Sequence, residues 1–218
     1  MKHLLIPCLL TVHCLAQERY VIPVDESNKD PSFLAFRNKL IKTVKKRDLP
    51  GLMSVTDSEF RGSFGPEENV EFFKKKLESP SSDQDLWKEL LLVLTHGGSF
   101  QPHDPSSFCA PYVFGSFPGD VEPFKYQVIF GSNVNLRSKP GLRAPVTARL
   151  SYNIVQVDYE HSVPVSQDSE RYAWLMIETL SGKKGYVKAE FVRSPIDYRA
   201  GFNKVNGKWK LRWFLAGD

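Results

Sequence analysis

The sequence predicts an α+β fold: an N-terminal helical part that a C-terminal β-hairpin completes, with a small β-barrel between them. Apolar residues recur at helical spacing up to about residue 97. From Phe124 onward the apolar residues alternate with polar ones, which is typical of short strands. Near the C-terminus, Asn206-Gly207 is a strong signal for a type I′ hairpin turn.

Length and charge are those of an ordinary globular protein. The 218 residues suffice for one large domain or two small ones. The formal net charge is +4, and the lysines and arginines are scattered, with no arginine-rich arm and no RNA-binding signature. We therefore expect no nucleic-acid partner.

The first 16 residues read as a signal peptide. Lys2 gives a positive start, a short apolar run follows to Val12, and Ala16 supplies the small residue before a cut at Gln17. The apolar run is too short to hold the chain in a bilayer, so we expect no stable membrane insertion. The predicted location is the periplasm or the exterior.

Helical signals fill much of the segment 17–123. Asp30-Pro31 is a typical N-cap and first helical position. The apolar side chains that follow at helical spacing are Phe33, Phe36, Leu40, Ile41 and Val44. A second helix is expected from Asp48, and two more before Gly97-Gly98. The prolines, glycines and serines of 97–123 predict loops, with room for one short strand around Cys109.

The chain carries no motif that points to catalysis or to a cofactor. It has no P-loop, no nucleophile elbow and no dinucleotide fingerprint. The spacings of His96, His103 and Cys109 fit no zinc pattern. The apolar neighbours of Cys109 favour an inert, buried thiol. We expect a protein that is not an enzyme and has no catalytic residue, metal or cofactor.

Four short motifs follow one another between residues 126 and 193. They are Val134-Asn135-Leu136-Arg137, then Trp174, then a glycine-bracketed run from Gly182 to Val187, and a closing turn at 189–192. In this order they resemble the bacterial SH3 domain (SH3b), a small β-barrel. The resemblance implies a binding module of an exported bacterial protein whose partner is a cell-wall peptide or glycan, or another exported protein.

Aromatic side chains are the candidate ligand contacts of this barrel. The five candidates are Tyr152, Tyr159, Tyr172, Trp174 and Tyr186. Residues 159–172 form a longer connection than the SH3b pattern has, and long loops often carry function. We therefore rank Tyr159 and Tyr172 above the others as surface contacts.

The rival interpretation is a ligand-binding or catalytic cone. The N-terminal helices and C-terminal hairpin together are similar in architecture to the cystatin-like and NTF2-like folds, in which helices wrap a curved sheet around a pocket. A deep cavity with an inward-facing Asp or His would favour that class, whereas a filled interior would favour a scaffold.

The C-terminal hairpin has one apolar and one basic face. With Asn206-Gly207 as the turn, Val205 opposes Lys208. The expected apolar pairs further out are Phe202 with Leu211, Ala200 with Trp213, and Tyr198 with Leu215. Because two strands alone are marginal in water, this face needs a partner, and we expect the N-terminal helices to supply it. The predicted segments are 1–16 for the signal peptide, 17–123 for the helical part, 124–194 for the barrel and 195–218 for the hairpin.

Overall fold

The computed structural model confirms the α+β class and describes residues 17–63, 65, 69–78, 85–167 and 169–217. The predicted signal peptide lies outside the described residues. The described helices are α1 (Pro31–Lys45), α2 (Leu49–Val55), α3 (Val70–Glu78), α4 (Leu86–Thr95) and α5 (Tyr112–Ser116). No helix in these ranges is long and apolar enough to cross a membrane.

Twelve strands in the described ranges form two sheets. They are β1 (Thr56–Arg61), β2 (Ser99–Gln101), β3 (Asp104–Ala110), β4 (Tyr126–Ile129), β5 (Val134–Arg137), β6 (Val146–Leu150), β7 (Ile154–Pro164), β8 (Tyr172–Thr179), β9 (Lys184–Lys188), β10 (Val192–Arg193), β11 (Arg199–Val205) and β12 (Lys208–Leu215). One sheet has the order β1-β12-β11-β3-β2, and the other has β10-β4-β7-β8-β9-β5-β6.

The helices begin where the sequence places their caps. The carboxylate of Asp30 accepts hydrogen bonds from the amides of Ser32 (2.7 Å) and Phe33 (3.2 Å) at the start of α1. Asp48 accepts from the Gly51 amide (3.0 Å) at the start of α2. Each cap satisfies amides that a helix start leaves without a partner inside the helix.

Strands in the N-terminal part are the main addition to the predicted fold. β1 follows α2 directly and pairs in parallel with β12, while β2 and β3 form a hairpin within the segment that the sequence predicts as loop. The C-terminal hairpin inserts between them, because β12 pairs with β1 and β11 pairs with β3. We call this sheet with helices α1–α4 the helical half.

The C-terminal hairpin turns at Asn206-Gly207, as predicted, and pairs Val205 with Lys208 and Phe202 with Leu211. Beyond that rung the prediction is wrong. A bulge at Arg212 shifts the register, so that Ala200 opposes Phe214 and Arg199 opposes Leu215. Since side chains alternate along a strand, the extra residue turns Phe214 into the core and leaves Trp213 on the other face.

The interior of the helical half is filled by aromatic side chains from helices and hairpin. The ring of Phe33 lies 4.1 Å from that of Phe108, 4.8 Å from Trp209 and 5.7 Å from Phe202, measured between centroids. Phe33, Phe108 and Phe202 are completely buried. The apolar face of the hairpin therefore packs on α1, as its pattern predicts.

The seven-stranded sheet curls into a half-barrel around its own core, and we use that name for it. Val134, Leu136, Val155, Ile177 and Val187 are buried together on the concave face. Half of the predicted long connection 159–172 is strand, since β7 continues to Pro164 and β8 begins at Tyr172. The additional residues form a bulge between the pairs Asp158–Met176 and Val163–Trp174.

An extended segment, residues 18–27, ties the two halves together, and we call it the strap. Its Arg19 and Val21 hydrogen-bond through their backbones to Ile154 and Tyr152 of the half-barrel. At its other end, Asp25 receives two hydrogen bonds from Arg37 of α1 (2.8 and 2.7 Å). The strap therefore has one end on each half.

A buried arginine provides a second connection. The guanidinium of Arg193 in β10 lies 3.6 Å from the Glu89 carboxylate on α4 and 3.4 Å from that of Asp197, and it donates to the Tyr198 carbonyl (2.7 Å). Burial raises the pKa of Glu89, with the positive charge of Arg193 opposing that effect. Breaking such a pair leaves a buried charge without its partner.

Candidate binding surfaces of the half-barrel

Strand alternation places Trp174 on the convex face of the half-barrel. Leu175 and Ile177 of β8 point into the core, so Trp174 and Met176 point outward. Across the ladder, Trp174 pairs with Lys188 and Met176 pairs with Tyr186. Trp174 and Tyr186 therefore share one face and are both half-buried.

A groove of about 200 Å³ lies beside this tryptophan. We call it the Trp174 groove. Arg137 and Lys188 line it together with Leu142, Phe191 and the turn at 132–135. Leu142 is 67% exposed and Phe191 37% exposed, so both side chains can contact a ligand. The groove thus combines an indole, exposed apolar groups and cations.

Positive charge surrounds the Trp174 groove. The hairpin from Ser132 to Leu150 carries four arginines and lysines and no acidic residue. Arg137 is held in place because it donates to the Ala144 carbonyl (2.7 Å). Lys188 is paired with Glu190 at 3.0 Å, so its charge is partly compensated at this surface. The surface suits a ligand with both apolar and anionic groups.

Tyr159 and Tyr172 form a separate aromatic pair. Their ring centroids are 5.3 Å apart, and the side-chain amide of Gln127 donates to the Tyr159 hydroxyl. Tyr159 is 51% exposed, whereas Tyr172 is half-buried against the half-barrel core. Among the described residues, Tyr159 and Tyr172 are the only two of the five predicted contacts whose rings touch each other.

The bulge that carries Tyr159 is closed by Asp158. Its carboxylate accepts from the backbone amide of His161 (3.1 Å) and contacts the Nδ1 of the same residue (2.8 Å). The hydrogen bond from the His161 backbone amide, and to a smaller extent the contact with its imidazole, lower the pKa of Asp158. The protrusion is therefore an ordered turn that presents Tyr159 to solvent.

Tyr152 lies apart from the other predicted contacts, at the junction of the two halves. Its backbone has a φ of 60° and is fixed by bonds from its amide to the Gly131 carbonyl (3.1 Å) and from the Val21 amide to its carbonyl (2.9 Å). The five predicted residues thus occupy three places rather than one. The sequence prediction missed four groove residues that the register brings to Trp174, namely Arg137, Leu142, Lys188 and Phe191.

Cys109 has the surroundings of an unreactive thiol. It is 5% exposed, and its sulfur accepts a hydrogen bond from the Gln101 side chain (3.0 Å). Burial raises the pKa of its thiol to about 11. His96 caps its own helix through a contact of Nδ1 with the Leu92 carbonyl (2.7 Å). Within the described ranges, no three His, Cys, Asp or Glu side chains are placed to hold a metal ion.

Comparison with known proteins adds no relative, since no protein-family model and no curated protein matches the chain.

Proposed function

We propose that this chain is an exported, non-enzymatic binding protein that uses the Trp174 groove to hold a cell-envelope peptide. The observation that carries the proposal is the groove itself, an indole beside exposed apolar groups in a basic surround. Aromatic and arginine side chains contribute most strongly at binding sites. The sequence resemblance to bacterial SH3 domains over residues 126–193 supports a binding role.

The chemistry of the groove favours peptidoglycan stem peptides over glycan alone. Stem peptides carry small apolar side chains and free carboxylates, which match Leu142 and Phe191 on one hand and Arg137 and Lys188 on the other. A neutral glycan would offer no carboxylate to Arg137. An acidic segment of another exported protein has the same chemistry and is the alternative partner.

The rival proposal of a cone that binds or converts a small molecule has less support. The concave side of the five-stranded sheet is occupied by Phe33, Phe108, Phe202 and Trp209, all buried. Buried aromatic rings fill the described interior, and the cleft of about 1170 Å³ that this half carries lies at its edge, where Asp30, Phe100 and Phe114 are among the lining residues. A filled interior favours a scaffold that carries the half-barrel.

Sedimentation with purified insoluble peptidoglycan tests the proposal. We expect residues 17–218 to sediment with it and Trp174→Ala to weaken binding about tenfold or more, because indole contacts are among the strongest at interfaces. Lys42→Ala/Lys45→Ala on the basic face of α1 is the control and should leave binding unchanged, whereas Tyr159→Ala/Tyr172→Ala should weaken it less than Trp174→Ala, because that pair lies outside the groove. Equal losses for the Trp174 and lysine variants would refute the groove as the site.

If peptidoglycan fails to sediment the protein, capture from envelope extracts decides between partners. An acidic exported protein that binds the parent chain but not Trp174→Ala would move the proposal to the alternative partner. Absence of any partner that depends on Trp174 would contradict the binding role.

A further inference from the structure

A second concave site lies at the junction of the two halves, away from the Trp174 groove. We call it the junction cleft, and its volume is about 490 Å³, within the range of small-molecule sites. Three segments line the cleft together with Tyr112 and Tyr152. They are residues 23–25 of the strap, 95–97 at the end of α4, and 130–132 after β4. Both halves therefore contribute to its walls.

Stacked rings form one wall of the junction cleft. The ring of Phe130 lies 4.4 Å from the His96 ring and 5.6 Å from the Tyr112 ring, the latter nearly parallel at 6°. Such stacking fixes the rings relative to one another. A wall of this kind favours a flat, ring-containing ligand.

The hydroxyl of Tyr112 is the polar group that indicates a ligand. Tyr112 is only 3% exposed, and its hydroxyl has no hydrogen-bond partner among the described residues. Native proteins leave few buried polar groups in this condition. Burial, with a smaller effect from neighbouring Tyr152, raises the pKa of the phenol, so it stays neutral and able to donate.

The remaining polar groups of the cleft select for an uncharged ligand. The carboxylate of Asp25 is already engaged by Arg37 through two hydrogen bonds. The Nδ1 of His96 contacts the Leu92 carbonyl, which can only accept, so the proton is on Nδ1 and Nε2 is an acceptor in the neutral ring. The Asp25 carboxylate therefore offers no free charge to an ion.

We propose that the junction cleft binds a small, uncharged aromatic molecule whose polar substituent hydrogen-bonds to the Tyr112 hydroxyl. Because this hydroxyl is covered in the structure, binding must displace a neighbouring side chain. We assign that movement to Tyr152, which is half-buried and lines the same cleft as Tyr112. The backbone of Tyr152 stays fixed by its two hydrogen bonds, so only its ring turns.

Titration of the full chain with 4-methylphenol and with toluene, followed by amide NMR, tests this site. These two probes differ by one hydroxyl. We expect both to shift the amide signals of Gly97 and Gly131, with 4-methylphenol binding about 3- to 10-fold more tightly, the value of one hydrogen bond. Tyr112→Phe should abolish that difference, and Tyr126→Phe, which removes a different hydroxyl from a half-buried ring of the same apolar cluster, should keep it.

The unliganded variant provides an independent readout. If the hydroxyl lacks a partner, Tyr112→Phe removes a desolvation cost and should raise the midpoint of thermal unfolding by about 2–4 °C. A lowered midpoint would show that the hydroxyl is already satisfied, and would overturn the proposal. So would equal affinity for the two probes, or the absence of shifts at Gly97 and Gly131 with either probe.

Discussion

At the scale of single residues, the Asp30 carboxylate contacts both the start of α1 and the C-terminal hairpin. It caps α1 through the amides of Ser32 and Phe33, and it also accepts from Lys204 of the hairpin (3.1 Å). The Ser32 hydroxyl, followed by Lys204 and the two amides, lowers its pKa from 3.8 to about 2. One carboxylate thereby stabilises both a helix start and the contact between α1 and β11.

The depressed pKa of Asp30 predicts an acid-dependent loss of stability. Between pH 3.8 and about 2 the unfolded chain binds more protons at this site than the folded one, so its stabilising effect is complete above that window and disappears as the pH falls through it. Urea unfolding should show this decline in the parent chain and a flatter profile in Asp30→Asn and Asp30→Ala.

The two Asp30 variants separate charge from capping. At neutral pH, Asp30→Ala should lose about 1 kcal/mol more of its unfolding free energy than Asp30→Asn, because asparagine still caps the helix. Parallel pH profiles for the parent and both variants would show that this carboxylate does not titrate as described.

At the scale of elements, the bulge in β12 decides which aromatic residues are core. It brings Trp213 opposite Gly201, and the indole lies directly on that glycine, since a Cβ there would be 2.0 Å from the Trp213 ring. The glycine is required by this close approach rather than by a special backbone angle. The bulge also explains why Phe214, rather than Trp213, packs in the interior.

Adding one methyl group at this point should destabilise the sheet. Gly201→Ala is expected to cost about 1–3 kcal/mol of unfolding free energy, because the indole must move out of its packed position. Gly119→Ala is the matched control, since a Cβ there meets nothing within 4 Å, and it should change stability by less than about 0.5 kcal/mol. Equal midpoints for the two variants in urea would contradict the described packing.

Local sequence patterns predict the helices and turns of this chain better than they predict the register of its paired strands. The caps at Asp30 and Asp48 and the turn at Asn206-Gly207 depend on neighbouring residues, so the sequence reveals them. Buried and exposed residues do not alternate along β1, so its sequence does not indicate a strand. The bulge at Arg212 depends on how Trp213 fits over Gly201. Tertiary packing decides both features, and no local signal predicts it.

The candidate site shows the same division. The aromatic candidates follow from the SH3b-like segment of the sequence, and the rings of Tyr159 and Tyr172 do meet. The cationic and apolar residues around Trp174 come from β5, the loop after β5, β9 and the turn after β9, so only the strand order brings them together. Part of the long loop expected between the tyrosines is a bulged strand, because Asp158 and Ser162 close the bulge with hydrogen bonds, and the connection between β7 and β8 shortens to residues 165–171.

At the scale of the whole molecule, the chain leaves the helical half after β3 and returns to it with β11. The half-barrel occupies the intervening sequence, and β11 and β12 become central strands of the other sheet. Such a connection makes the helical half depend on residues at both ends of the chain. The half-barrel, by contrast, takes all seven strands from 126–193.

Truncation tests this dependence. Removing residues 196–218 deletes two of the five strands and the buried Phe202, Trp209 and Phe214, so we expect the helical half to lose its cooperative thermal transition in far-UV circular dichroism. An isolated 124–194 fragment should still fold. A truncated chain that keeps the full helical transition would show that the hairpin is not part of that core.

The most direct test of the binding role is a titration of residues 17–218 with a soluble disaccharide-tetrapeptide from peptidoglycan, followed by amide NMR. The groove predicts saturable shifts at Asn133, Asn135, Trp174 and Lys188, which weaken at high salt because the contacts include exposed charges. Trp174→Ala should remove them, whereas Asp30→Asn should not. Saturable shifts confined to the helical half, or shifts that persist unchanged in Trp174→Ala, would contradict the assignment of the Trp174 groove as the binding site.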